Sequence, residues 1–324
     1  MGKKLSISTK NFVDKFDHLS TKELLEELYL HKKKILEETS RNFFIHTSQI
    51  IKIGIELEFY ILNLDKSKIG DHKIVENFIS LLTSKLSEKS FIYKIEKEQG
   101  EGQIEIKTIF TDNLSELCLE IESTKSKVQK LAEQNNLLVS FDGQTFTDDC
   151  GNSMQFNISL HDKNGKNLYL LNEEILKNSI KSLLSFTNSI MIFLAPNERD
   201  YLRFDKNLNY ELFKKGKYSA PINLSFGIDN RTCAIRIPSK TTDQKNSFLL
   251  SEKRLEYRIA SANCDPYLSI SAILIVLLKG LKNKSDDFEK IYGNAFEDKY
   301  NLKPFLNNYK QALDYFLENN IFKL

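Results

Sequence analysis

Several short segments of this chain place polar side chains at every second position within an otherwise apolar run. These polar residues are Glu56 and Glu58 in IGIELEFYI, Glu105 in QIEIKTIF, Gln155, Asn157 and Ser159 in MQFNISL, and Glu256 and Arg258 in LEYRI. Because successive side chains of a strand point to opposite faces, each segment has one apolar and one polar face. The pattern predicts a sheet whose apolar face packs on helices and whose other face collects the polar groups.

The remaining segments have apolar residues at helical spacing. Helices are predicted at 20–39, 73–88, 114–136, 172–194, 265–282 and 304–319, and strands at 51–62, 103–110, 154–160, 231–238 and 254–259. Short strands interrupted by helices are typical of the α+β class, here built around one antiparallel sheet. The 324 residues suffice for one or two domains.

Composition argues against two classes of partner. The net charge is +2 and no Lys/Arg-rich block stands out, so a nucleic acid is not expected. The longest apolar run, residues 268–278, is too short to cross a bilayer, so a membrane is not expected either. Four scattered cysteines without a CxxC pair fit reduced thiols in a cytoplasmic protein.

The predicted polar face carries glutamates and arginines, with little lysine. Only seven of the 46 basic residues are arginines, and six of these lie between Arg199 and Arg258. Arginine grips carboxylates and phosphates with two parallel hydrogen bonds, so the cluster predicts a site for such anions. Converging carboxylates repel each other unless a cation lies among them, which favours Mg²⁺ or Mn²⁺. The alternative is an ordinary solvated face, which in this chain would be expected to carry lysine.

Six motifs, in order, resemble those of the glutamine synthetase catalytic domain. They are IGIELEFYI, EQGEGQIEI, GNSMQFNISL, APNERDYLRF, SAPINLSFGIDNRTCAIRIP and RLEYRIASANCDPYLSISAIL, extending over residues 51–284. The resemblance implies a curved antiparallel sheet with helices on its outer face, as in glutamine synthetases and guanidino kinases. It also implies two or more Mg²⁺ or Mn²⁺ ions, phosphorylation of the γ-carboxylate of glutamate by ATP, and displacement of the phosphate by an amine.

The resemblance implies roles for residues in each motif. Those that match metal ligands are Glu58, Glu98 and Glu105 on the glutamate side and Glu56, Gln155 and Glu256 on the ATP side. Those that match groups binding the acid substrate are Gly151, Arg203 and Arg258. Those that match groups binding ATP are Ser159, Arg231, Arg236 and Arg254, with Arg231 in a catalytic role on the transferring phosphate. Asn157 stands where the family has a His and is assigned to ATP because its amide can still hydrogen-bond a phosphate. Arg41 and Arg199 fall outside these sets and are expected at the surface.

The chain departs from the family pattern in several places, two of which, Ser219 and the β-grasp domain, concern the ammonium site. Gln155 stands where the family has a metal-binding His, and Cys150 where it has an Asn in the glutamate loop. Ser219 stands where the family has a Glu that accepts a proton from ammonium. Where the family has a β-grasp domain, residues 1–50 have a helical pattern. The expected division is therefore a short helical extension at 1–50 and a catalytic domain at 51–324.

These departures remove groups that hold ammonium but leave the metal and phosphate groups nearly complete. We therefore expect an ATP-dependent carboxylate–amine ligase that acts on small molecules, with an amine other than ammonia. One alternative is a catalytically degenerate homologue that binds nucleotide or an acidic metabolite as a sensor or partner protein. Another is a kinase that phosphorylates its acceptor without forming an amide. Members of the family form stacked rings through an interface that includes the β-grasp domain. Without a pattern for that domain in residues 1–50, both a smaller homo-oligomer and a monomer remain alternatives.

Overall fold

The structure is a computed structural model that describes residues 21–217, 220–239, 253–282 and 286–319. The α-helices are α1 (Thr21–Leu30), α2 (Lys32–Thr47), α3 (His72–Ser84), α4 (Leu114–Gln134), α5 (Leu168–Leu171), α6 (Glu173–Leu194), α7 (Lys206–Lys214), α8 (Pro266–Lys282) and α9 (Tyr309–Glu318). Short 3₁₀ helices cover Glu198–Phe204 and Asp298–Tyr300. The strands are β1 (Ile50–Leu62), β2 (Ile92–Lys97), β3 (Gln103–Thr108), β4 (Leu138–Ser140), β5 (Met154–His161), β6 (Phe226–Ile228), β7 (Ile235–Ile237) and β8 (Leu255–Tyr257).

Within these ranges the eight strands form one sheet in the order β2-β3-β1-β5-β8-β7-β6, and β4 pairs with β1 beside this path. Neighbouring strands are antiparallel except β6 and β7, which are parallel. The long strand β1 pairs with β5 from Ile50 opposite His161 to Leu57 opposite Met154. This register aligns the apolar side chains of β1 and β5 on one face and their polar side chains on the other.

Helices cover the apolar face of the sheet. Ile55 and Leu57 of β1 and Phe156 of β5 are fully buried there, in one core with residues of α2, α4, α6 and α8. Helix α8 packs against α2, α4 and α6, and every residue from 266 to 278 is buried. A helix that is apolar around its whole circumference belongs in the interior, so α8 is the central helix of this layer.

Several helices begin where the sequence supplies a side-chain acceptor. Asp71 accepts a hydrogen bond from the backbone N–H of Lys73 at the start of α3, and Asn172 accepts one from Glu174 at the start of α6. Such caps satisfy N–H groups that have no partner within the helix, and they fix where the helix starts.

The α+β class, with helices packed on one face of the sheet, is confirmed. The sheet is not wholly antiparallel, because β6 and β7 run in the same direction. The predicted strand 231–238 is extended only at 235–237, since a turn follows Asp229, whose φ is 49°. The predicted helix 20–39 is two helices that separate at His31 and continue to Thr47. The domain boundary at residue 50 stays a prediction.

None of the described helices is both long enough and apolar enough to span a membrane.

Candidate active site

The polar face of the sheet brings most of the predicted site residues together in register. Opposite each other on paired strands lie Glu58 and Glu105, Glu56 and Gln155, Asn157 and Glu256, and Glu256 and Arg236. Carboxylates occupy β1 and β3, while the arginines lie on β7 and at the ends of β8, and β5 runs between the two groups. The site therefore has an acidic half and a basic half.

Glu58, Glu98 and Glu105 form the acidic half. Glu58 and Glu105 are buried at 7% and 4% exposure, and Glu98 follows the end of β2. Burial and the charge of Glu98 raise the pKa of Glu58 to about 7, and burial with neighbouring carboxylates raises the pKa of Glu105 well above its usual range. Lys107, on the same face, lies 2.8 Å from Glu105 Oε2 and offsets only part of this charge.

This donor set fits a divalent cation such as Mg²⁺ or Mn²⁺, which prefers carboxylate oxygens. The raised pKa values of Glu58 and Glu105 come from burying like charges together, and a cation among them would relieve that repulsion. As the side chains stand, no three or more His, Cys, Asp or Glu residues of the described ranges are grouped to hold a metal ion. Binding a cation therefore requires these carboxylates to draw together.

Glu256 is the centre of the basic half. Its carboxylate is 2% exposed, and it accepts hydrogen bonds from Arg236 Nη1 at 2.6 Å and from Arg258 Nη1. Burial opposes its ionisation, but Arg258 and Arg236 together hold the pKa of Glu256 below its usual range. In this state Glu256 anchors two arginines, and it would have to loosen one of them to bind a metal ion.

Gln155 joins the two halves. Its Nε2 donates to Glu58 Oε1 at 2.9 Å, and its Oε1 accepts from Arg258 Nη1 at 2.7 Å. Glu58 is held further by the backbone N–H of Ser153, which donates to Oε2 at 2.8 Å. The amide oxygen predicted to bind a metal thus lies against Arg258, so a metal and Arg258 would compete for it.

Asn157 and Ser159 continue the polar row along β5. Asn157 donates to Glu56 Oε1 at 3.0 Å and accepts from Arg254 Nε at 2.8 Å, which makes it a second neutral bridge between the halves. Ser159 Oγ lies 3.0 Å from His161 Nε2. His161 was not predicted as part of this row, although its position two residues after Ser159 places it on the same face.

Arg203 lies against the loop that carries Gly151. The arginine is 2% exposed, burial lowers its pKa to about 10, and Nη1 donates to the carbonyl of Ile259 at 2.6 Å. Its Nε has no hydrogen-bond partner among the described residues. A Cβ at Gly151 would come within 2.6 Å of the Gly143 carbonyl oxygen and 3.3 Å of Arg203 Cγ. Glycine at position 151 therefore lets the loop pack closely against the side chain of Arg203. The N–H at Nε of this buried arginine is available to bind an anion.

Asp149 ties this loop to its neighbours and was missed by the sequence prediction. Its buried carboxylate accepts a hydrogen bond from Lys217 Nζ and lies 3.3 Å from Lys68 Nζ. It also accepts from the backbone N–H groups of Cys150 at 2.9 Å and Glu101 at 3.2 Å. Four separate segments thus meet at one carboxylate. The only sequence signal was the acidic residue just before the Cys150 position.

Arg231 lies apart from the other arginines, at the edge of a cavity of about 560 Å³. It is exposed, whereas Arg236 and Arg258 donate to Glu256 in the basic half. Gln99, the residue after Glu98, donates from Nε2 to the carbonyl of Gly216 at 2.8 Å, just beyond the end of α7, whose Phe213 lines the same cavity. The cavity therefore lies near the acidic half. Arg199 is 64% exposed and pairs with Asp142, as expected for a surface residue. Ser219 lies outside the described residues.

Comparison with known proteins identifies the family. The profile described as "Glutamine synthetase, catalytic domain" matches residues 72–323 of this chain. The chain belongs to this family. The resemblance drawn from the six ordered motifs is thereby confirmed.

One relative is the gamma-glutamylputrescine synthetase of Escherichia coli strain K12, to which the chain is 32% identical over 227 residues. The matched region covers 69% of this chain and 44% of that protein. It is 30% identical over 215 residues to the glutamine synthetase of Sulfolobus acidocaldarius, covering 63% of this chain and 42% of that protein. The chain thus spans less than half the length of these two relatives.

Solved structures agree with this fold. GmaS in complex with ADP superposes with a TM-score of 0.75 over 90% of this chain and 69% of that chain, at 18% identity. GmaS without ligand superposes with a TM-score of 0.73. At this identity the likeness establishes a shared fold and nothing finer.

Proposed function

We propose that this chain carries the catalytic site of an ATP-dependent ligase that joins an amine to the γ-carboxylate of glutamate or of a similar acid. The observation that carries this proposal is the pairing of a buried carboxylate cluster with a row of arginines across one sheet face. Phosphoryl transfer to a carboxylate needs metal ions to neutralise the nucleotide phosphates and guanidinium groups to hold the anions. The relatives are named as synthetases, which supports a ligase and gives no support to a degenerate binding protein.

The acidic half would hold one metal ion, and the boundary between the two halves would hold another. We assign one ion to Glu58, Glu98 and Glu105 and a second to Glu56, Gln155 and Glu256. When bound, such ions supply the positive charge that lets two anions, the ATP phosphates and the acid, approach each other. In the second set the Gln155 oxygen and Glu256 already have arginine partners, so we expect that ion to bind more weakly.

The arginines would hold the two anionic substrates. Arg203, which has a donor to spare, and Arg258 are assigned to the acid, next to Gly151. Arg231, at the edge of the cavity, is assigned to the transferring phosphate. The residues assigned to the nucleotide are Asn157, Ser159, Arg236 and Arg254.

The reaction has two steps. A carboxylate oxygen of the acid attacks the γ-phosphorus, the bond from phosphorus to the bridging oxygen of ADP breaks, and ADP leaves. The nitrogen lone pair of the amine then attacks the acyl carbon, a C–N bond forms, and the C–O bond to phosphate breaks. Phosphate departs and the proton of the amine passes to water.

The amine that we propose is not ammonia. The position at which the family has a proton-accepting Glu is Ser219, and a serine hydroxyl is not anionic near neutral pH. An alkyl amine brings apolar surface that can replace the contribution of this carboxylate to binding, and its proton passes to water. The relative named for putrescine supports an alkyl amine as the second substrate.

Turnover with defined substrates tests this proposal. Purified protein is incubated with Mg²⁺, ATP, glutamate, and either ammonium or an alkyl amine, and ADP, phosphate and amide are quantified by mass spectrometry. We expect an amide with an alkyl amine and much less with ammonium. Glu58→Gln should abolish turnover, while Glu76→Gln, on the exposed side of α3, should leave it unchanged.

Three results would contradict parts of the proposal. Release of ADP with a stable phosphorylated acid and no amide would indicate a kinase. Glutamine formation as fast as any other amide would overturn the choice of amine. ATP binding without ADP release across acids and amines would exclude the ligase.

A further inference from the structure

The cavity beside Arg231 is bounded by two loops, and Arg231 is the one residue of them that has been assigned a role in the site. Its walls are the turn that follows β6, the loop 290–294, and Phe213 in the last turn of α7. Its volume of about 560 Å³ is in the range of sites that bind small molecules, roughly 300–1,000 Å³.

Hydrogen bonds join the two loops that form the cavity. Asn230 Nδ2 donates to the carbonyl of Gly293 at 2.7 Å. Thr232 Oγ1 accepts from the backbone N–H of Ala295 at 2.9 Å. Because these hydrogen bonds hold the two walls against each other, the cavity is already formed before a ligand binds. Binding therefore does not have to order the loops.

Two cations line this cavity without an acidic partner. Within the described ranges, neither Arg231 nor Lys290 has a carboxylate at ion-pair distance, and Lys290 Nζ instead lies 4.8 Å from the ring centre of Tyr292. The lining carboxylate, Asp229, already pairs with Arg236 at 3.3 Å. The cavity therefore attracts an anionic group and repels a second ammonium group.

The remaining walls suit a short hydrocarbon chain. Ile228 and Tyr292 line the cavity and are 50% and 76% exposed, so methylene groups can cover apolar surface there. Arg231 and Lys290 lie on the two different loops of the cavity, and the hydrogen bond from Gln99 to Gly216, beside the end of α7, places the cavity near the acidic half. A ligand in this cavity would have one end near the site of phosphoryl transfer.

On the basis of the proposed ligase function, we propose that this cavity binds the tail of the amine substrate and that the tail ends in a carboxylate. The amine nitrogen faces the acyl phosphate held by Arg231, the methylenes lie on Ile228 and Tyr292, and the carboxylate pairs with Lys290. The substrate class is thus an ω-amino acid rather than a diamine, and Lys290 determines this specificity.

Binding is tested first, without ATP. The chain has no tryptophan, so a Tyr292→Trp variant carries a single indole at the cavity. γ-Aminobutyrate, butylamine and putrescine share the same backbone length and differ in the charge of the tail. We expect γ-aminobutyrate to change the indole emission at the lowest concentration. Adding Lys290→Gln should weaken its binding about fivefold, and Lys290→Glu should favour putrescine.

Steady-state turnover with the same three amines follows, using Lys310→Gln, an exposed lysine of α9 that pairs with Asp314, as the matched control. Lys290→Gln should raise KM for γ-aminobutyrate but not for butylamine or putrescine. The control, Lys310→Gln, should leave KM for all three amines unchanged. Butylamine binding as tightly as γ-aminobutyrate, or an equal loss for all three amines in Lys290→Gln, would overturn the inference. Emission changes without turnover of any amine would leave the cavity assignment standing and refute the ligase. Turnover that does not depend on the charge of the tail would support the ligase and refute the cavity assignment.

Discussion

Asp149→Asn is the substitution whose effect on stability follows most directly from the structure. The side chain is fully buried. Its carboxylate forms ion pairs with Lys217 and Lys68 and accepts hydrogen bonds from the backbone N–H groups of Cys150 and Glu101. Asparagine preserves the size of the side chain and can still accept from one N–H group. It removes the negative charge that pairs with both lysines.

The magnitude can be estimated from these contacts. Removing one partner of a buried ion pair costs about 3–5 kcal/mol when the other charge stays buried. Here the lysine side chains are 20% and 25% exposed, so both can turn partly to water. We therefore expect Asp149→Asn to lower the free energy of unfolding by about 2–3 kcal/mol.

The neighbouring residue supplies a matched control. Asp148 pairs with Lys68 at 2.8 Å, but its side chain is 70% exposed, so Asp148→Asn should cost less than about 1 kcal/mol. Urea unfolding of both variants, followed by circular dichroism, gives the comparison. If the two variants differ from each other by less than about 0.5 kcal/mol, Asp149 is not the junction described above.

The pH dependence gives a second check on Asp149. Burial alone would raise its pKa, but Lys217 and the backbone N–H groups hold that pKa below its usual range. A carboxyl group with a depressed folded-state pKa stabilises the protein above its unfolded pKa of about 4, and this stabilisation is lost as pH falls through the folded value. The difference between wild type and Asp149→Asn should therefore shrink below about pH 4.

Three further predictions concern the site. Gly151→Ala should lower both stability and turnover, because its Cβ would meet the Gly143 carbonyl at 2.6 Å, whereas Gly70→Ala meets nothing within 4 Å and should be silent in thermal melts and assays. Because the pKa of Glu58 is raised to about 7, metal-free protein should lose stability as pH rises from about 5 through 7. Mg²⁺ or Glu58→Gln should remove that loss in scanning calorimetry, and a pH-independent melt of the metal-free wild type would contradict the prediction. Burial raises the pKa of Cys150 to about 12, so iodoacetamide near pH 8 should label it only after unfolding, and rapid labelling of native protein would refute this.

The longer elements of the fold were predictable from local sequence. Strand β1 and strand β5 begin or end within one residue of the predicted ranges, since alternation over eight or more positions leaves little freedom of register. Strand β2, IYKIEK, was missed because it is an edge strand whose Lys94 and Glu96 pair with each other in place of an apolar period. The parallel pair β6 and β7 has three residues in each strand, and such a pairing depends on contacts distant in sequence.

The site was predictable as a set of residue types but not as a set of contacts. The two bridges made by Gln155 depend on the register of β1, β5 and β8, which no single segment specifies. Lys107, which lies between Glu105 and Glu96 on this face, was not among the predicted site residues. A lone lysine in a strand has the same sequence signature whether it faces solvent or a buried carboxylate.

The central position of α8 has a consequence for how the chain folds. Its circumference is enclosed by α2, α4 and α6, and Leu36 and Phe43 of α2 lie in the same core. Because α2 is near the start of the described chain and α8 near its end, this core closes only by contacts between distant segments, which slows folding. During synthesis the side of α2 that packs on α8 stays without this partner until α8 has left the ribosome. The nascent protein is therefore expected to aggregate, or to occupy chaperones, until α8 has been made.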